Sequence, residues 1–265
     1  SEMCIRDRFM IVPKFNTFKE SLRAASEVFH ALKGILLDKG LNTNVGDEGG
    51  YAPDLSSNEE ALSVIVKSIE TAGYIPGKNI FIALDIAASS FYNSETDTYN
   101  IDNTNKTREE LLNYYIELLQ KYPIISIEDP FDEDDYLGFK MITDSLGKKI
   151  SIVGDDLFVT NKNLLKKGIE DGLCNAILIK PNQVGSFYET LETIVLAKQN
   201  KYTCIMSHRS GETTDTFISD LAVALNIPFM KSGSTSRGER LSKYNRLLEI
   251  CLLYTSDAAD DRISV

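Results

Sequence analysis

Short apolar runs alternate along this chain with longer stretches in which apolar residues recur every three or four positions. The runs are FMIVP (9–13), IFIALD (80–85), IISIED (124–129), SIVGDD (151–156), AILIK (176–180), TCIMSH (203–208) and IPFMK (227–231). Their length and their Ile, Val and Phe content predict buried strands. The stretches between them predict amphipathic helices, and three carry N-terminal signatures. Thr107 with Glu110 forms a capping-box pattern ahead of Leu111, Leu112, Tyr115, Leu118 and Leu119. Ser57 with Glu60, and Ser186 with Glu189, do the same for helices carrying Leu62, Ile65, Val66, Ile69 and Leu191, Ile194, Val195. The strand ends at 128, 155, 180, 208 and 231 lie 27, 25, 28 and 23 residues apart. That is the length of a βα unit, so the pattern predicts an α/β fold with a parallel sheet or a closed barrel. Residues 1–8 and 251–265 show neither period and are expected to be tails outside the patterned region 9–250.

Composition narrows the class. In 265 residues, 43% are hydrophobic and 25% charged, ordinary values for a globular protein. A net charge of −11, from 28 basic against 39 acidic residues, argues against nucleic acid or an anionic membrane surface as partner. No apolar run approaches the roughly 18 residues of a membrane span. Cys4, Cys174, Cys204 and Cys251 form no CxxC pair, which fits a reduced, cytoplasmic setting. With only His30 and His208 besides, a zinc site rich in His or Cys is not expected.

Candidate chemistry gathers at the strand ends, which read Asp85, Glu128–Asp129, Asp155–Asp156, Lys180, His208–Arg209–Ser210 and Lys231. In a barrel these converge on the C-terminal face, where active sites are built. A single acid after a strand is ordinary turn chemistry. Acids ending three strands in succession would repel unless a cation neutralised them, and carboxylate oxygens suit Mg²⁺. Lys180 closes a strand too apolar to favour its ammonium; beside a divalent cation it is a candidate base. Arg209, Ser210 and Lys231 suit a phosphate, while no GxxxxGK[ST] or GxGxxG element indicates a nucleotide. In GDEGG (46–50), the glycines let the backbone bend around Asp47 and Glu48 and come close to a ligand.

Several segments then carry a family resemblance: NVGDEGGYAPD (44–54), ALDIAASSFY (83–92), SIEDPFDEDD (126–135), VGDDLFVTN (153–161), LIKPNQVGSFYET (178–190), SHRSGETTDTFISDLAV (207–223) and KSGSTSRGERLSKYNRLLEI (231–250). Together they resemble the barrel domain of the bacterial enolases (phosphopyruvate hydratases). The resemblance implies a TIM-type barrel of order ββαα(βα)₆, here without its first strand and without the leading α+β domain. It implies Mg²⁺-dependent interconversion of 2-phosphoglycerate and phosphoenolpyruvate in the cytoplasm, with occurrence at the cell surface also known, by a homo-oligomer. It makes Asp85, Glu128 and Asp155 the metal ligands, choosing among acids that the residues alone leave open. It makes Lys180 the base and Glu48 the acid, with His208, Arg209, Ser210 and Lys231 holding substrate. Where the family has a glutamate before FMIVP, Arg8 stands here. Two rival readings are a catalytically inactive fragment with a binding role and another acid-processing enzyme of the superfamily. The second keeps the carboxylates and the lysine but has no need of SHRSGE with Lys231.

Overall fold

The computed structural model describes residues 9–260; Arg8 and the rest of the 1–8 tail lie outside them. The elements run β1 (Phe9–Pro13), α1 (Phe18–Asp38), α2 (Asn58–Thr71) and β2 (Ile80–Asp85). A 3₁₀ turn and a small antiparallel meander follow: β3 (Tyr92–Asn93), β4 (Thr98–Ile101) and β5 (Thr104–Lys106). Then come α3 (Arg108–Lys121), β6 (Ile124–Glu128), α4 (Tyr136–Leu146), β7 (Ser151–Gly154), α5 (Lys162–Asp171) and β8 (Ala176–Ile179). The chain continues through α6 (Pro181–Val184), α7 (Phe187–Gln199), β9 (Thr203–Ser207), α8 (Phe217–Ala224), β10 (Phe229–Lys231) and α9 (Gly238–Asp260).

All seven expected strands form one sheet in the order β1-β2-β6-β7-β8-β9-β10. The pairs from β2 to β10 are parallel, whereas β1 runs antiparallel to β2, with Phe9 opposite Leu84 and Pro13 opposite Ile80. Proline at the end of an outer strand removes no ladder donor the sheet needs. The sheet curls: Lys231 on the last strand reaches Asp85 on the second, at 2.8 Å. Among the described residues no ladder joins β1 to β10. The helical layer bridges that seam instead, because α9 after β10 packs on α1 after β1.

The cap signatures are made to different degrees. At Thr107 both halves of the box are present. Ser57 and Ser186 each accept the N–H of the third helical residue. The Glu60 carboxylate, however, is engaged by Ser56 and Lys39. The meander β3–β5 was not anticipated: its strands are two to four residues long and polar, so no period marks them. Tyr99 anchors it, fully buried, donating to Asp135 Oδ2 at 2.7 Å and accepting the Asp132 N–H at 3.1 Å. One expectation is corrected. Residues 251–260, which lack an apolar period, continue α9 without a break; a helix already nucleated extends at little cost.

Candidate active site

Strand parity places the chemistry. Every residue of β8 is buried, as in a sheet covered on both faces. Ala176 and Leu178 pack with Val153 of β7 and Ile205 of β9, while Ile177 and Ile179 pack in the main core. Burying each such aliphatic side chain contributes about 1.5–3 kcal/mol, so a register slip is strongly resisted. Two residues on from Leu178 is Lys180; two on from Val153 is Asp155. Both therefore leave the strand ends on one side, and the Lys180 ammonium is paired with Asp155 Oδ2. Gln183 lies 3.4 Å from the other Asp155 oxygen and receives the Thr160 hydroxyl at 2.7 Å.

Across the mouth, Lys231 Nζ lies 2.8 Å from Asp85 Oδ2 and 2.9 and 3.0 Å from the two Glu128 oxygens. Asp85, Glu128 and Asp155 thus end three adjacent strands, each facing a lysine. Burial, with the Asp85 charge added, holds the Glu128 carboxyl well above the usual range despite Lys231. Burial would lower Lys231, but the Glu128 and Asp85 carboxylates outweigh it and hold the ammonium firmly charged. The all-oxygen donor set suits a hard divalent ion.

A second acidic grouping is more tightly packed: oxygens of Asp129, Asp155 and Asp156 lie within 4.8 Å of one another. Asp129 is already committed. It sits in the left-handed region, φ 43°, and its two oxygens accept the N–H groups of Asp155 and Asp156 at 2.9 and 2.8 Å. Burial pushes its carboxyl up to about 8 against those two donors. Its visible role is to hold the loop after β7 in place. Asp156 is exposed beside it.

The loops supply the rest. Glu48 Oε2 lies 3.3 Å from His208 Nε2. Burial lowers the His208 imidazole, outweighing Glu48, which raises it. For Glu48, burial works upward, but His208, Lys231 and Arg240 together hold the carboxyl below its ordinary value. Arg209 and Ser210 are exposed at the rim, with Arg209 Nη1 3.4 Å from Asn182 Oδ1. Within GDEGG, Gly49 makes a close approach to protein. Gly49, φ +89°, lies where a Cβ would sit 2.9 Å from the Ser236 carbonyl oxygen. Gly233, φ +81°, would place one 2.5 Å from the Glu48 carbonyl oxygen. Two glycines therefore let the loops carrying Glu48 and Ser232–Ser236 lie flush.

Sequence reasoning missed Arg240, Gln183 and Thr160. Arg240 had a legible signal. With Lys243, Tyr244 and Leu247 it falls at i, i+3, i+4 and i+7 of α9, two cations on an apolar stripe. Arg240 and Lys243 are each 1% exposed.

This fold and site define an α/β barrel domain whose acidic strand ends are met by lysines from neighbouring and opposite strands. The family described as "Enolase, C-terminal TIM barrel domain" matches residues 2–259, and the chain belongs to that family. It is 54% identical over 243 residues to an enolase of Sulfurimonas denitrificans and 54% over 245 residues to one of Wolinella succinogenes. Each alignment covers 91% of this chain, which spans 58% of the length of those curated relatives. No helix among the described residues is long and apolar enough to cross a membrane.

Proposed function

We propose that this domain, as part of a complete protein, carries out the reversible dehydration of 2-phosphoglycerate to phosphoenolpyruvate. The observation that carries the reading is the pairing of three acidic strand ends with Lys180 and Lys231, faced by Glu48 and His208 across one mouth. Asp85, Glu128 and Asp155 would hold Mg²⁺, which supplies positive charge to the substrate carboxylate when bound. Lys180 is the base that takes the carbon-bound proton. Lys231 adds charge where the electron pair left by that proton accumulates, an interaction stronger in the transition state than in the ground state. Glu48, once protonated, gives its proton to the departing hydroxyl: the C–O bond breaks, water leaves and the carboxylate returns. Arg209 and Ser210, open at the rim, suit the phosphate. The family resemblance supports a cytoplasmic setting and a homo-oligomer.

The test uses a complete protein carrying this domain. Lys180→Ala should abolish exchange of the carbon-bound proton with solvent. Glu48→Gln should spare that exchange while blocking phosphoenolpyruvate formation, since the two residues act on successive steps. Exchange at the wild-type rate in Lys180→Ala would refute the base assignment.

A further inference from the structure

Among the described residues Arg240 is the largest fully buried side chain, and it lies against His208 and the loop that carries Glu48. Its guanidinium has five N–H donors and no acceptor. Nη1 lies 2.6 Å from His208 Nδ1 and 2.8 Å from the Arg209 carbonyl oxygen. Nη2 donates to the Asp47 and Ser210 carbonyls at 3.0 and 2.7 Å. These four contacts occupy all four Nη hydrogens; the fifth donor, Nε, has no hydrogen-bond partner among the described residues. One side chain thus joins the loop that carries Glu48 to the loop that carries His208, Arg209 and Ser210.

The chemistry of the 2.6 Å contact has one consistent reading. Because arginine can only donate, His208 Nδ1 must accept, so the imidazole is neutral and its proton sits on Nε2. Nε2–H then donates to Glu48 Oε2, 3.3 Å away. We propose that Arg240 is a positioning residue that fixes the His208 proton on Nε2 and thereby leaves Glu48 Oε1 as the oxygen that carries and delivers the acid proton. Its catalytic part rests on the function proposed above; the proton placement does not.

Two measurements separate these parts. The first needs no variant. With the chain ¹⁵N-labelled at histidine, two imidazoles report, and a His30→Gln variant assigns them, since His30 is exposed on α1. At neutral pH the ring nitrogens of His208 should show the Nε2–H tautomer. An Nδ1–H tautomer, or an imidazolium, would overturn the proposal. The second measurement compares Arg240→Met and Arg240→Lys in a complete protein. General acid catalysis is worth on the order of 10²–10⁴-fold, so in Arg240→Met dehydration should fall about 10²-fold relative to proton exchange. Arg240→Lys, which retains a donor for Nδ1, should recover part of that ratio. A parallel fall of both rates would mark Arg240 as merely structural and refute its positioning role. A wild-type protein with neither rate would instead sink the function proposed above, leaving the tautomer to decide the proton placement.

Discussion

Replacing Lys231 by Met keeps the volume of the side chain and removes the charge shared by Asp85 and Glu128. The Lys231 and Glu128 side chains are 11% and 4% exposed, so little water can substitute for the lost ammonium; Asp85, at 21%, is better placed. Removing one partner of a buried ion pair costs about 3–5 kcal/mol. Two features hold the cost near the lower end. Water screens part of the Asp85 charge, and Glu128, already raised by burial, can take up a proton. For a domain of this size 1 kcal/mol moves the melting temperature by roughly 2–4 °C. A loss of about 3 kcal/mol therefore lowers it by roughly 6–12 °C in metal-free buffer at pH 7. The assay is thermal and urea unfolding followed by circular dichroism, with chelator and with Mg²⁺. A bound ion at a hundred times its dissociation constant stabilises by about 2.7 kcal/mol, and the variant should gain more from Mg²⁺ than the wild type because no ammonium competes for the carboxylates. Equal metal-free stability, or equal stabilisation of both proteins by Mg²⁺, would refute the idea that Lys231 is the counter-ion of a cation site.

Gly233→Ala should cost about 2–4 kcal/mol in urea unfolding, from left-handed strain and the 2.5 Å approach to the Glu48 carbonyl; an unchanged midpoint would show that the two loops can separate freely. Tyr99→Phe removes one donor from the Asp135 carboxylate, which keeps Arg108 Nε and the Gly138 N–H, and takes the acceptor from the Asp132 N–H, so a loss of about 0.5–1.5 kcal/mol is expected, readable as a shifted urea midpoint. The pH prediction follows from His208, which faces Glu48, Arg240 and Lys231. Its folded-state pKa is depressed, so above the unfolded value of about 6.5 both states are neutral, and below it the unfolded state binds the proton first. Wild-type stability should therefore fall between pH 7 and 5 more steeply than that of His208→Gln; parallel curves would exclude a buried neutral imidazole.

The repeat of apolar runs and helical stretches sufficed for all seven strands of the sheet, because the pattern of each is local; it did not show that the outer strands β1 and β10 are only partly covered. The same spacing located Asp85, Lys180 and Lys231 at strand ends, since parity within one strand needs no knowledge of its neighbours. Local pattern could not divide the labour between Asp129 and its neighbours. That depends on which carboxylate meets the backbone N–H groups of Asp155 and Asp156, 26 and 27 residues away. Nor could it show Lys231 beside Asp85, 146 positions apart, which only the curl of the sheet brings together. The meander β3–β5 escaped notice because a short polar strand has no period to detect. Arg240 was hidden for a related reason. A cation on an apolar helical stripe is an anomaly in sequence, and its four acceptors come from two loops that meet only when the barrel assembles. Periodicity is a property of neighbours along the chain; charge pairing and proton placement belong to groups that the fold makes neighbours.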